Sequence, residues 1–329
     1  MVTEGKEGTS LRRVVETERA AELVSVDLVE AARAFAAASK APRTRKAYRA
    51  AWGTFVAWCE AQGLQALPAA QRTVAAFLAA RAKEGRRVST LEQALAAISQ
   101  AHQAAGLPSP RSAAEVREVL RGIRRTLGVA PLQKNAILVD DLRRMVATLP
   151  DDLLGLRDRA MLLVGFAGAF RRSELVGLDV GDLVFTLDGL EVTLRRSKTD
   201  QEGQGRKLGI PYGSTAGVCP VRSLKHWLET EGIAEGPLFR AVNGSTVRTD
   251  RLSDKAVARL VKRAAADAGL DPSRLSGHSL RSGFATSAAR AGRSERSIMR
   301  QTGHRSVQMV RTYIRDAELF VDNPAEGLL

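Results

Sequence analysis

The segment Gly277-His278-Ser279-Leu280-Arg281-Ser282-Gly283 sets a histidine and an arginine three residues apart. On a helix that spacing lays both on one face, with about 5–6 Å between their Cβ atoms. Two cationic or proton-exchanging groups held so close make a poor folding element but a good receptor for one phosphate. The guanidinium offers a planar fork of donors, and imidazole gains or loses a proton near neutral pH. A His-x-x-Arg pair alone is common by chance, so its surroundings decide its weight. Gly303-His304 follows Arg281 by 23 residues, and Tyr313 follows His304 by 9. Upstream, Gly168-Ala169-Phe170-Arg171-Arg172-Ser173-Glu174-Leu175 puts an arginine pair at the end of a very apolar stretch, and Arg195-Arg196-Ser197-Lys198-Thr199 ends a strand-like one. In chain order the set is arginine, lysine, histidine, arginine, histidine, tyrosine.

In that order and spacing the set resembles the tyrosine recombinases, the phage integrase family, and within it the Cre-like and Xer-like site-specific recombinases. The resemblance runs from about residue 26 to 323, with the specific motifs all in 168–313. It implies a DNA strand transferase whose six active-site residues are Arg171, Lys198, His278, Arg281, His304 and Tyr313. The residue types fit such chemistry in their own right. A phenol becomes a usable nucleophile once its proton has a route out and phosphate repulsion is screened. Arg171 and Arg281 would hold the non-bridging oxygens of a pentacoordinate transition state. Lys198 would protonate the departing 5′ oxygen, His278 would accept or relay the Tyr313 proton, and His304 would donate a hydrogen bond to a phosphate oxygen. The product of cleavage would be a 3′-phosphotyrosyl link that conserves the bond energy, so rejoining needs no ATP and no metal. Neither a Walker motif nor a clustered metal site is present in the sequence, and no cofactor is expected.

Two details depart from the family pattern. The first arginine usually follows Gly with Leu or Met, whereas Ala169 and Phe170 separate Gly168 from Arg171. Ser173-Glu174-Leu175 sets the register that makes Arg171 catalytic. Cre-type members carry tryptophan where this chain has His304. Glu174, one turn after Arg171, is either the carboxylate that orients it or a plain exposed helix residue.

The elements that must position these residues read as mainly α. Residues 1–25 are polar and mixed in charge, which predicts a flexible tail. From Val26 the apolar spacing turns helical, with Leu28, Ala32, Phe35 and Ala36 in a stripe that ends at Ala41-Pro42. Thr44 predicts the cap of a helix through Tyr48, Trp52, Phe55 and Cys59 to Gly63, and Gln71–Glu84 forms the next. Ser89 with Glu92 and Ser112 with Glu115 read as capping boxes opening two more helices. Residues 26–127 are thus an all-helical domain, by resemblance the core-binding (SAM-like) clamp on duplex DNA. Residues 128–136, with Pro131, read as a linker, and 137–329 as an α+β catalytic domain with a C-terminal tail. There Asp140-Asp141 predicts a helix cap, a helix spans Leu153–Phe166, and three short strands occupy 183–185, 190–194 and 207–210 around the Asp188-Gly189 turn. Helices resume near Pro220 and at Ser253–Ala268, His278–Ala291, Ser294–Gln301 and Ser306–Ile314. The fold class expected is a helical N-terminal domain followed by an α+β domain with a small antiparallel sheet.

Charge points to the partner. The 50 Lys and Arg outnumber the 36 Asp and Glu by 14, and residues 31–136 alone carry a net +12. Self-repulsion of that size in one domain is relieved by a polyanion, which makes double-stranded DNA the expected partner over a merely solvated surface. No apolar run is long enough to cross a membrane and no secretory leader is visible, so a cytoplasmic protein is expected. Two cysteines, Cys59 and Cys219, are too few for a disulfide scaffold and read as small buried apolar residues. His102, His226 and the tryptophans read as structural, and Arg172, Arg195, Arg196 and Arg311 as backbone-phosphate contacts or solvated charges. Tyr212 is a rival tyrosine without a histidine or arginine motif beside it. The apolar tail (Ala317, Leu319, Phe320, Val321) is either packed on its own domain or, as the resemblance implies, docked in a neighbour to give a homo-tetramer on two duplexes. Two other classes stand against strand exchange: a non-catalytic basic DNA-binding protein, and a type IB-like topoisomerase.

Overall fold

The structure, a computed structural model, describes residues 27–28, 30–31, 34–35, 39–129, 134–195 and 205–317. It is mainly helical, with two small antiparallel sheets in the second half. The chain divides between Pro131 and Leu132 into two compact units. The predicted tail at 1–25, residues 130–133 of the predicted linker, the strand-end segment with Arg196 and Lys198, and the apolar tail from 318 lie outside the described residues.

In the first unit four helices enclose an aromatic and aliphatic core: α1 (Pro42–Ala61), α2 (Gln71–Lys83), α3 (Val88–Ala104) and α4 (Ala114–Leu127). Phe55, Phe77, Leu78, Leu95, Ile98, Val116 and Leu120 are buried together, and the Phe55 and Phe77 rings meet edge to face at 5.0 Å. His102 is structural here. Its Nδ1 lies 2.8 Å from the Ile98 carbonyl, and its Nε2 accepts the Ala69 N–H at 2.9 Å. The remaining face of α4 is basic, with Arg117, Arg121, Arg124 and Arg125 exposed.

The predicted caps are displaced. Pro42 occupies the first helical turn, where its missing N–H costs nothing, so Thr44 lies inside α1 and does not cap it. Helix α3 starts at Val88 after Arg87 without a side-chain cap, and Glu92 pairs with Arg124 instead of reaching back to Ser89. Helix α4 starts at Ala114, and Ser112 closes a short 3-10 turn before it.

In the second unit the order is α5 (Val139–Ala147), α6 (Leu153–Ala167), α7 (Arg172–Gly177), β1 (Leu183–Phe185), β2 (Gly189–Leu194), β3 (Arg206–Pro211), α8 (Pro220–Thr230), β4 (Arg240–Asn243), β5 (Thr246–Arg251), α9 (Asp254–Asp267), α10 (Ser279–Arg290), α11 (Glu295–Thr302) and α12 (Val307–Ala317). Leu138, and neither Asp140 nor Asp141, precedes α5; the Asp141 carboxylate accepts the Leu138 N–H from within the first turn. Strands β1, β2 and β3 form one antiparallel sheet, with Leu190 paired to Ile210 and Val192 to Leu208. Strands β4 and β5 form a separate hairpin that the sequence reading passed over. Helix α6 is apolar around most of its circumference because α8 and α10 pack against it, and Ala160 through Val164 are all buried. Its one buried acid, Asp158, is satisfied by Arg157 at 2.7 Å and by Arg263 of α9. The stretch before α5 lies along α10: the Asn135 N–H donates to the Arg274 carbonyl (2.8 Å) and the Ile137 N–H to the Ser279 carbonyl (3.0 Å). Gly283 makes that approach possible, since a Cβ there would sit 1.8 Å from the Ile137 carbonyl oxygen.

Candidate active site

Helix α6 ends in a Schellman turn. The Phe170 N–H donates to the Gly165 carbonyl (3.1 Å) and the Ala169 N–H to that of Phe166 (2.9 Å). The left-handed residue of that turn is Ala169, with φ of +49°, where glycine is usual. This accounts for the unusual spacing after Gly168: the left-handed place is taken by Ala169, two residues before Arg171, while Gly168 stays right-handed. Gly168 itself is required by contact, because a Cβ there would come within 2.1 Å of the Phe170 ring. The turn delivers Arg171 to the start of α7. The buried Glu174 carboxylate takes the Arg171 N–H (2.9 Å) on one oxygen and its Nη1 (2.5 Å) on the other. Glu174 is thus an inward carboxylate clamped on Arg171, not an exposed helix residue. Arg172 goes elsewhere, lying over Gly277 and facing Asp254 at 3.8 Å.

Arg281, in the first turn of α10, is 1% exposed. Its Nη1 donates to the carbonyl of the left-handed Ala169 at 2.7 Å, so the strained turn serves as its acceptor. Among the described residues its buried Nη2 has no partner. Burial first, then the neighbouring Arg171 charge, lowers its pKa to about 10. His278 precedes the helix as its N-cap residue and is exposed, with Nε2 3.3 Å from the Tyr313 hydroxyl. Tyr313 sits on α12, held by a small cluster of Ala285, Ala289, Ile298 and Val310 contributed by α10, α11 and α12. A phenolate there would favour the Arg281 cation, so the two groups share one electrostatic environment.

His304 follows the left-handed Gly303 that ends α11. Its ring lies 5.9 Å from that of Tyr313, and its Nδ1 is 2.8 Å from the Thr302 hydroxyl. Burial, then Arg281, Arg171, His278 and Arg206 in that order, push its pKa down to about 4. Arg206, at the start of β3, is a cation that the sequence reading did not select. Its Nη1 donates to the carbonyls of Arg300 (3.2 Å) and Gln301 (3.1 Å), closing the last turn of α11. Burial lowers its pKa as well. It also explains the glycine before His304: besides needing positive φ, a Cβ at Gly303 would lie 2.9 Å from Arg206 Nε. Gln301 ties the same helix end to the Ala167 and Gly209 carbonyls.

The structure therefore brings Arg171, Glu174, His278, Arg281, His304 and Tyr313 into one neighbourhood, and adds Arg206 and Thr302. Lys198 lies outside the described residues, in the segment between β2 and β3. Arg195 and Arg311 form ion pairs with Asp182 (2.7 Å) and Glu295 (2.9 Å). Tyr212 carries the Arg222 guanidinium over its ring at 5.3 Å, an arginine the sequence reading had not placed beside it. Cys59 and Cys219 are buried free thiols. Among the described residues no three His, Cys, Asp or Glu side chains gather as a metal site requires, and no helix is long and apolar enough to cross a membrane.

Residues 135–319 match the phage integrase family, which is more than half of the chain. The integrase/recombinase xerD homolog of Selenomonas ruminantium is 43% identical over 291 residues, covering 87% of this chain and 85% of that protein. This chain belongs to the phage integrase family and is a tyrosine recombinase. The recombinase cre of Escherichia phage P1 is 28% identical, over 80% of this chain and 81% of its own length. In fold, this tyrosine recombinase is similar to a lambda integrase (75-356) dimer bound to a COC' core site, with a TM-score of 0.59 at 20% identity over 88% of this chain and 94% of that one. A XerH site-specific recombinase in a post-cleavage complex is similar with a TM-score of 0.57 at 16% identity, over 76% and 69% of the two chains.

Proposed function

We propose that this tyrosine recombinase cuts and rejoins duplex DNA at specific sites through a 3′-phosphotyrosyl intermediate. Its active-site residues are Arg171, Lys198, His278, Arg281, His304 and Tyr313, with Glu174 orienting Arg171. The observation that carries the reading is the half-used fork of Arg281. A buried guanidinium with one nitrogen bonded and one without an acceptor lacks an anionic ligand, and beside it stand Arg171, His304 and the only tyrosine in contact with a histidine among the described residues. A phosphodiester supplies the missing acceptor and the negative charge that the crowded cations call for.

The chemistry follows from these positions. Arg171 and Arg281 bind the non-bridging oxygens and stabilise the charge that gathers on them as Tyr313 Oη adds to phosphorus. His278 Nε2 takes the phenolic proton. The 5′ oxygen leaves with a proton from Lys198, and the reverse attack by a 5′ hydroxyl of another strand restores the phosphodiester and the phenol. The clamp assigned to residues 26–127 is supported by the exposed arginines of α4 and the net +12 of residues 31–136. The working assembly is a homo-tetramer on two duplexes, acting in the cytoplasm without a nucleotide cofactor.

A nicked duplex carrying a candidate site traps the intermediate, because the short 5′-hydroxyl fragment diffuses away. A covalent protein–DNA adduct is expected with the wild type and none with Tyr313→Phe. Equal behaviour of the two proteins would point to a non-catalytic DNA-binding protein, and relaxation of a two-site plasmid without deletion or inversion to a topoisomerase.

A further inference from the structure

The Thr302 hydroxyl is fully buried and has one proton to share between two short contacts. One is to the Ile298 carbonyl at 2.7 Å, the other to His304 Nδ1 at 2.8 Å. A carbonyl only accepts, so the proton belongs to the Ile298 contact; otherwise two oxygen lone pairs would face each other at that distance. The Thr302 oxygen then meets the ring with a lone pair, and Nδ1 has to carry the hydrogen.

We propose that Thr302 is a positioning residue that holds the neutral His304 ring in its Nδ1–H tautomer, leaving Nε2 as a bare lone pair. The inference rests on the reading of His304 as a phosphate contact and sharpens it. A ring in this tautomer gives no hydrogen bond through Nε2; the bond it gives a phosphate oxygen comes from the imidazolium. Arg281, Arg171, His278 and Arg206 surround the ring, and each opposes a second proton in the DNA-free protein. A bound phosphate brings the compensating negative charge. His304 is therefore an acceptor in the empty site and a donor in the occupied one, and Thr302 sets which nitrogen makes that change.

The full chain contains four histidines, so selective 15N labelling of histidine yields few signals, and His304→Gln assigns the one of interest. His102 is an internal reference, since its Nε2 accepts the Ala69 N–H and its Nδ1 faces the Ile98 carbonyl, which fixes the same tautomer. In DNA-free protein near neutral pH, His304 is expected to show a protonated Nδ1 and an unprotonated Nε2, as His102 does. Thr302→Ser, which keeps the hydroxyl, retains that signature. Thr302→Val, which keeps the shape, loses it, and the hydrogen moves to Nε2. A wild-type ring with the hydrogen on Nε2 would overturn the proposal, as would an unchanged spectrum in Thr302→Val. Because no DNA is present, the tautomer is readable whether or not the adduct with nicked duplex forms, so the two readings fail separately.

Discussion

Arg281 pays for its position in solvation: a guanidinium driven out of water, beside other cations, keeps its charge because the Ala169 carbonyl accepts one of its donors. Lysine has the charge without the planar fork, so Arg281→Lys cannot hold that carbonyl and a phosphate oxygen together. Strand cleavage by Arg281→Lys is expected to fall by about 10²–10³-fold, the scale for losing one aimed donor, measured as adduct formed per minute on nicked duplex. His304 gives a pH signature whose sign follows from its folded pKa near 4, below the ordinary 6.5. Between those values the unfolded chain binds a proton that the folded chain refuses, so the stabilising contribution is full above about 6.5 and drains away as pH falls toward 4. Melting temperatures from pH 7.5 down to about 4.5 should therefore drop more steeply in the wild type than in His304→Gln. Most of this neighbourhood could be read from the chain because its groups announce themselves by type. Arg206 and Thr302 could not, since an arginine at a strand start and a threonine before a glycine are ordinary; Arg206 gains its partners only where β3 meets the end of α11, and Thr302 meets His304 only through the left-handed turn at Gly303.

Helices and strands were legible wherever apolar spacing repeated over two turns or alternated on a sheet, as in α6 and β2. Their ends were not. Ser89, Ser112 and Thr44 look like caps, yet the first N–H groups of α1, α3 and α4 lack side-chain caps; α1 and α3 start earlier, at Pro42 and Val88, and α4 later, at Ala114. The β4–β5 hairpin had a usable signal in Asn243-Gly244, with Gly244 at φ of +57°, but its strands are short and polar, so no alternation marked them. Two element contacts make sharp predictions. Gly283→Ala pushes a methyl into the Ile137 carbonyl and should cost about 1–3 kcal/mol in urea unfolding. Asp158→Ala leaves the buried Arg157 guanidinium with only the Arg240 carbonyl and without its counter-charge, and should cost about 3–5 kcal/mol.

The chain divides between Pro131 and Leu132 into two compact units, and the described groups of the candidate site all lie in the second. Tyr313 meets His278 of its own chain, so cleavage is expected in cis. Mixing Tyr313→Phe with Arg281→Ala should leave adduct formation at background, whereas recovery of a large share of wild-type adduct would mean that the tyrosine is delivered between protomers. The bipartite plan was visible in the charge step along the chain and in the break at Pro131, because composition survives without coordinates. The fastening of residues 135–137 to the backbone at Arg274 and Ser279 was not, since carbonyl partners leave no trace in residue type. That fastening has a mechanical meaning. The strap that precedes α5 is stitched at Ser279 to the very helix turn that bears Arg281, so tension drawn along it would bear on the guanidinium proposed to grip the phosphate.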